Sequence, residues 1–149
     1  MTSHTILLVE DNEDDVFLMK RALKRAGIEN PVHVVEDGQQ AIDYLAGTGG
    51  FSDRFRFPYP KIVFLDLQLP RKSGFDVLTW IRTRIDLPPP FVVVLTSSNA
   101  PNDINRIAEL GALYTIKTPT NDLLSRLTSE FGFVWQRRVT SSAVGKVIG

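Results

Sequence analysis

Short apolar runs alternate along this chain with segments in which apolar residues recur every three or four positions. The runs are typical of buried parallel strands, and they occupy residues 6–9, 32–35, 62–65, 91–95 and 114–116. The segments with helical spacing are marked by Val16, Met19, Leu23 and Ala26, by Ala41, Ile42 and Leu45, by Phe75, Leu78, Trp80 and Ile81, by Ile104, Ile107, Ala108 and Leu110, and by Leu124, Leu127, Phe131 and Trp135. This alternation predicts the α/β class, with a doubly wound, five-stranded parallel sheet and helices on both faces.

Two segments fit neither pattern. Residues 47–60 mix Gly, Ser, Pro, Arg and four aromatic residues without a period of two or 3.6, which predicts a long irregular loop before the third strand. Residues 139–149 are small and polar, and we expect this tail to be frayed.

Acidic residues stand where the first and third predicted strands end. Glu10 and Asp11 follow the first strand, and Asp66 follows the third, which is the most apolar and therefore central. Because the carboxyl ends of parallel strands meet at one edge of a sheet, we expect the three carboxylates to lie together. Their mutual repulsion is relieved by a hard divalent cation, and Mg²⁺ favours a few carboxylates with several waters. The pattern predicts an Mg²⁺ site beside Asp66, which is the candidate nucleophile for phosphoryl transfer.

Charge neutralisation at such a site requires a cation besides the metal. Lys117, just after the fifth strand, can supply an ammonium group to the phosphoryl oxygens. Each residue also has an ordinary alternative role, since Thr96 and Ser97 can begin a loop or cap a helix, Lys117 can be solvated, and an acid at a strand end can cap a helix. The coincidence of three acids favours the functional interpretation.

Composition narrows the functional classes. The chain has 149 residues, seventeen basic and seventeen acidic residues, and no cysteine. A zero net charge gives no general attraction to nucleic acid or to an anionic membrane, and the lack of cysteine excludes disulfides and thiol chemistry. No apolar run approaches the roughly 20 residues that span a bilayer. We therefore expect a cytoplasmic protein of one domain, residues 1–136. Residues 137–149 are expected to form a C-terminal extension that is partly disordered or forms a dimer.

The pattern of acidic residues resembles the receiver family of response regulators, whose fold is flavodoxin-like with strand order 2-1-3-4-5. By this resemblance Asp66 is the phosphoacceptor, Asp11 is a direct metal ligand, and Glu10 acts through water. The backbone carbonyl of Gln68 completes the protein ligands, and Gly74, eight residues beyond Asp66, fits the same pattern. The resemblance implies a signalling protein that binds Mg²⁺ and has only self-phosphorylation and autodephosphorylation activity.

The resemblance extends to residues that respond to the phosphoryl group. Thr96, thirty residues after Asp66, resembles the switch hydroxyl, and Ser97 follows it. The family's lysine is usually followed directly by proline, whereas one residue separates Lys117 from the next proline here. An ungapped alignment places Thr118 at the lysine position, but a one-residue deletion before Tyr114 restores both the lysine and the switch aromatic. We prefer Lys117, with Tyr114 as the switch aromatic, and Thr118 is the alternative.

A subset of the family is more similar than the rest. Asp15, the long loop before the third strand, and the aromatic residues at 131–135 resemble single-domain regulators partnered with phytochrome histidine kinases. This resemblance implies phosphorylation by a sensor histidine kinase and a homodimer formed through the fifth helix and the C-terminal segment. A pseudo-receiver that binds partners without phosphorylation is the main alternative. An aspartyl-phosphate phosphohydrolase is disfavoured because Gln68 stands where such an enzyme needs a second acid.

Overall fold

The computed structural model describes residues 5–97 and 101–116 together with Leu124. The strands are β1 (Ile6–Val9), β2 (Val32–Val35), β3 (Ile62–Asp66), β4 (Phe91–Thr96) and β5 (Leu113–Ile116). The helices are α1 (Glu13–Arg25), α2 (Gly38–Ala46), α3 (Gly74–Thr83) and α4 (Pro101–Glu109). All strand pairs are parallel, and the order β2-β1-β3-β4-β5 confirms the predicted fold. Of the predicted fifth helix, only the helical residue Leu124 lies among the described residues.

Local signals in the sequence explain where the helices begin. The Asn12 side chain accepts from the Asp15 N–H at 3.0 Å at the start of α1, and Asp37 accepts from the Gln40 N–H at 2.7 Å at the start of α2. Ser73 precedes α3 and forms a reciprocal capping box with Asp76. Each cap satisfies a backbone N–H that has no partner within its own helix. These three helices therefore begin at defined residues.

Strand side chains alternate between two cores. Residues of β1 and β3 on one face pack with α2, α3 and α4, and those on the other face pack with α1 and Leu124. The first core includes Leu7, Val9, Val63, Leu65, Val77, Leu78 and Ile107, and the second includes Ile6, Leu8, Met19, Leu23, Ile62, Phe64 and Leu124. Burial on both faces explains why the strands are nearly continuous apolar runs. It also confirms helices on both faces of the sheet.

The segment between α2 and β3 is more ordered than its sequence predicts. The prediction of an irregular loop is wrong at Gly49–Phe51, which form a short 3₁₀ helix. The Arg54 guanidinium donates to the carbonyls of Tyr44 and Leu45 at the end of α2, each at 2.7 Å. Burial raises the pKa of Tyr44 to about 12, so its phenol stays protonated and donates to the Pro58 carbonyl at 2.9 Å. These contacts hold the loop against α2. The sequence of the loop has no periodicity from which such contacts could be predicted.

No helix in the described part of the chain is both long enough and apolar enough to cross a membrane.

Candidate functional site

The carboxyl ends of β1 and β3 lie side by side because the two strands pair in parallel. Val9 is the register partner of Leu65, so Glu10 and Asp66 are the next residues along adjacent strands. The carboxylate oxygens of Glu10, Asp11 and Asp66 that can act as ligands all lie within 4.8 Å of one another. The structure therefore brings together the three acids that the sequence places at this edge.

The three acids differ in exposure. Glu10 is 2% exposed and Asp66 is 1% exposed, whereas Asp11 is exposed at the rim. Burying like charges side by side is costly unless a cation compensates them. Three carboxylates that converge from two strands form an all-oxygen set, which is the donor chemistry that Mg²⁺ prefers. The residues present therefore fit the divalent cation that the sequence predicts.

Backbone groups orient the two buried acids. The Gln68 N–H donates to Asp66 Oδ1 at 3.0 Å, which keeps the Gln68 peptide next to the candidate nucleophile. The Asn12 N–H donates to Glu10 Oε2 at 3.3 Å, within the turn that leads into α1. A hydrogen bond of this kind restricts the orientation of the carboxylate that accepts it. Both buried acids are thus held in defined positions by the loops that follow them.

The β3–α3 loop, which we define as residues 67–73, lies tightly against Asp66. Its base is closed by the Gly74 N–H, which donates to the Leu67 carbonyl at 2.9 Å. A Cβ atom at Gly74 would lie 2.4 Å from the Asp66 carbonyl oxygen and 2.7 Å from Leu67 Cα. Both are backbone atoms, so only glycine fits at this position. The sequence identified Gly74 by its spacing from Asp66, and the structure supplies the physical reason.

An open cleft of about 560 Å³ lies beside the carboxylates. Asp11 and Gln68 line it together with Ser73 and Phe75 from around the start of α3. Asp103, in the first turn of α4, also lines this cleft. Asp103 was not predicted as a site residue, because its only signal in the sequence is an acidic side chain in the first turn of a helix. Asp11 belongs both to this cleft and to the group of three carboxylates.

The predicted switch residues occupy two environments. Thr96, the last residue of β4, is 2% exposed and lies one position beyond Leu95, the register partner of Asp66. Ser97 follows it and is exposed. Tyr114 in β5 is 44% exposed. Lys117 and its alternative Thr118 lie outside the described residues, as do the fifth-helix residues after Leu124 and the C-terminal segment assigned to a dimer.

Comparison with known proteins gives one consistent result. The family model for the response regulator receiver domain matches residues 6–128 of the chain. Response regulator Rcp1 of Synechocystis sp. is 33% identical over 139 residues, which are 93% of this chain and 92% of Rcp1.

Solved structures show the same likeness. The bacteriophytochrome response regulator RtBRR superposes with a TM-score of 0.78 at 36% identity, covering 95% of this chain and 83% of its own. The Mn²⁺-bound form of Rcp1 gives 0.73 at 30% identity, over 91% and 99% of the two chains. The phosphorylated cyanobacterial phytochrome response regulator RcpA gives 0.72 at 31% identity, over 90% and 94%.

Proposed function

We propose that Asp66 accepts a phosphoryl group from a histidine kinase of the phytochrome type, because this chain belongs to the response regulator receiver family and is related to phytochrome response regulators. One observation carries the assignment of the site. Carboxylates from two neighbouring strands converge within 4.8 Å, and Asp66 is the one on the strand between β1 and β4. Phosphorylation changes the charge at this sheet edge, and the resulting conformational change alters how the chain binds a protein partner.

The transfer is a substitution at phosphorus. Asp66 Oδ2 attacks the phosphorus atom of the donor, a P–O bond forms, and the bond from phosphorus to the donor's leaving atom breaks with its electron pair. Oδ1 stays held by the Gln68 N–H, which fixes the direction from which the carboxylate attacks. A bound Mg²⁺ supplies positive charge to the phosphoryl oxygens. Asp11, Asp66 and the backbone carbonyl of Gln68 would hold the ion directly, and Glu10 would hold it through water.

The known relatives support both parts of this proposal. Rcp1 has been solved in a Mn²⁺-bound form, and RcpA has been solved phosphorylated. Mn²⁺ and Mg²⁺ both favour oxygen ligands, and the three acids of this chain provide them.

The proposal extends to the residues that respond to phosphorylation. The buried Thr96 hydroxyl turns toward the new oxygens, with Ser97 beside it, and Lys117 neutralises the added charge. The half-exposed Tyr114 ring then moves inward to fill the space that Thr96 leaves. This changes the surface formed by α4, β5 and the predicted fifth helix, and a partner that binds this surface responds to phosphorylation of Asp66. Self-association through the fifth helix and the C-terminal segment belongs to the same proposal.

The first test uses the intact chain and a small phosphodonor. After incubation with acetyl phosphate and Mg²⁺, mass spectrometry is expected to show one added phosphoryl group per chain, because the donor loses acetate to an activated carboxylate. Without Mg²⁺ the added mass should be absent, since three converging carboxylates repel an anionic donor. Labelling that is equal with and without Mg²⁺ would contradict the proposed metal site.

A second test separates the roles of the two acids after β1. Asp11 is exposed at the rim of the cleft, whereas Glu10 is buried and accepts a hydrogen bond from Asn12. We expect Asp11→Asn to weaken Mg²⁺ binding at least about tenfold, because it removes a direct ligand, and Glu10→Gln to weaken it less, because it removes a water-mediated contact. Calorimetric titration of Mg²⁺ measures both.

Glu36→Gln is the matched control for that titration. Glu36 lines a smaller cleft that also contains Glu10 and Asp11, so its substitution removes a nearby charge without removing a ligand. Affinity in this variant should change less than in either of the others. Equal losses in Asp11→Asn and Glu10→Gln would show that the ranking is wrong.

A further inference from the structure

We propose that Asp37 and Gly38, which we call the α2 junction, position the β3–α3 loop and thereby orient the Gln68 backbone carbonyl for Mg²⁺. Asp37 is the N-cap residue of α2, and Gly38 is the first residue of that helix. The inference rests on the proposed function, in which the Gln68 carbonyl is a metal ligand. It assigns a positioning role to residues that do not touch the ion.

Gly38 packs directly on the backbone of the loop. Its N–H donates to the Pro70 carbonyl at 3.4 Å, and it is buried. A Cβ atom at this position would lie 2.0 Å from the Lys72 carbonyl oxygen and 2.6 Å from the Lys72 carbonyl carbon. Gly38 is not among the glycines with positive φ, so the close approach and not the backbone conformation requires glycine here. Any side chain at this position pushes the loop away from α2.

Asp37 contacts the tip of the same loop through Arg71, whose side chain is 64% exposed. The Asp37 carboxylate is buried, and its two oxygens have different partners: Oδ1 accepts from the Gln40 N–H, and Oδ2 lies 3.7 Å from Arg71 Nε. Arg71 has a φ of 70°, a left-handed conformation that is unfavourable for a residue other than glycine. One carboxylate therefore fixes the start of α2 and pairs with a strained residue in the loop.

The loop is short enough to transmit this support to Gln68. The Leu67 N–H donates to the Leu95 carbonyl at 3.3 Å, the Gly74 N–H donates to the Leu67 carbonyl, and the Gln68 N–H donates to Asp66. Because the base of the loop is fixed in this way, a displacement at Pro70, Arg71 or Lys72 must change the few peptides between the tip and Gln68. The Gln68 carbonyl then rotates. Mg²⁺ requires a nearly ideal octahedral arrangement of ligands, so a small rotation of one carbonyl weakens binding.

Calorimetric titration of Mg²⁺ into the full chain tests the proposal. We expect Gly38→Ala to weaken Mg²⁺ binding at least about tenfold, the scale seen when support for metal ligands is removed. Gly50→Ala is the matched control, because no atom lies within 4 Å of a Cβ at Gly50, and its affinity should match that of the wild type. Wild-type affinity in Gly38→Ala would overturn the inference.

Asp37→Asn keeps the proposal testable if Gly38→Ala does not fold. Asparagine caps helices as well as aspartate does, so stability should be retained while the charge that faces Arg71 is lost. We expect Mg²⁺ affinity to fall about threefold while urea unfolding in Mg²⁺-free buffer stays unchanged. A residue with a purely structural role would instead change the stability to urea. Unchanged affinity in Asp37→Asn, together with an unfolded Gly38→Ala, would overturn the inference.

Arg71 separates the ion pair from the backbone conformation. Arg71→Gly removes the side chain but suits the left-handed φ, whereas Arg71→Ala removes the side chain and keeps the strain. If the backbone conformation of the loop tip positions Gln68, Arg71→Gly should bind Mg²⁺ more tightly than Arg71→Ala. Equal affinities in the two variants would show that this backbone conformation has no such role. A wild-type chain that binds no Mg²⁺ would refute the proposed function itself, whereas normal binding in the wild type and in all of these variants refutes only the positioning role.

Discussion

Asp66→Asn is expected to reduce labelling by acetyl phosphate to below about 1% of the wild-type level, because an amide is a far poorer nucleophile than a carboxylate. The substitution is nearly isosteric, so the fold should persist. In Mg²⁺-free buffer the free energy of unfolding should rise, because one of three converging negative charges is removed from a buried position. Intact-mass spectrometry and urea unfolding measure the two effects on the same sample.

Asp86→Asn is the control for this experiment. Asp86 is exposed, pairs with Arg84 at 2.6 Å, and lies in the connection before β4, away from the carboxyl ends of the strands. Its substitution should leave labelling unchanged. If Asp66→Asn were labelled as fully as the wild type, another residue would be the acceptor and the central assignment would be wrong.

Gly74→Ala is expected to destabilise the protein by about 2 kcal/mol. Forcing a methyl group into a filled space costs about 1–3 kcal/mol, and the upper end applies here because backbone atoms of Asp66 and Leu67 cannot rotate away. The better helix propensity of alanine returns up to about 1 kcal/mol. The expected decrease in Tm is about 4–8 °C. Labelling of Asp66 should fall as well, because the strain acts on its own peptide.

Gly50→Ala again provides the comparison, since a Cβ at Gly50 meets no atom within 4 Å. Its free energy of unfolding should stay within about 0.5 kcal/mol of the wild type. A Gly74→Ala variant that is as stable as Gly50→Ala would mean that α3 begins farther from Asp66 than the structure shows.

The apolar pattern alone was sufficient to predict the five parallel strands and the helices between them, whereas the strand order came from the resemblance to the receiver family. The bounds of β1 and β2 match the predicted runs, β3 and β4 each extend one residue further, and β5 begins one residue earlier. Parallel strands buried on both faces must be apolar along their whole length, so they are conspicuous in the sequence. Gly27 and Gly47 follow α1 and α2 with positive φ, which is the conformation that commonly ends a helix.

The grouping of the three acids was equally predictable, for a geometric reason. Once the strands are parallel, Glu10, Asp11 and Asp66 must emerge at one edge, whatever the details of packing. The roles of individual residues at that edge came from resemblance to the receiver family and are proposals. The part assigned to Lys117 and to the fifth helix beyond Leu124 remains a prediction from the sequence.

Only the tertiary structure separated the exposed Asp11 from the buried Glu10 and Asp66, and only it placed Asp103 on the same cleft. The contact of Gly38 with Lys72 and the left-handed backbone of Arg71 likewise have no sequence signal. These features depend on backbone atoms that are distant along the chain and meet through loops of irregular conformation. Hydrophobic periodicity reports which face of an element is buried, but it contains no information on how two loops at the same sheet edge approach each other.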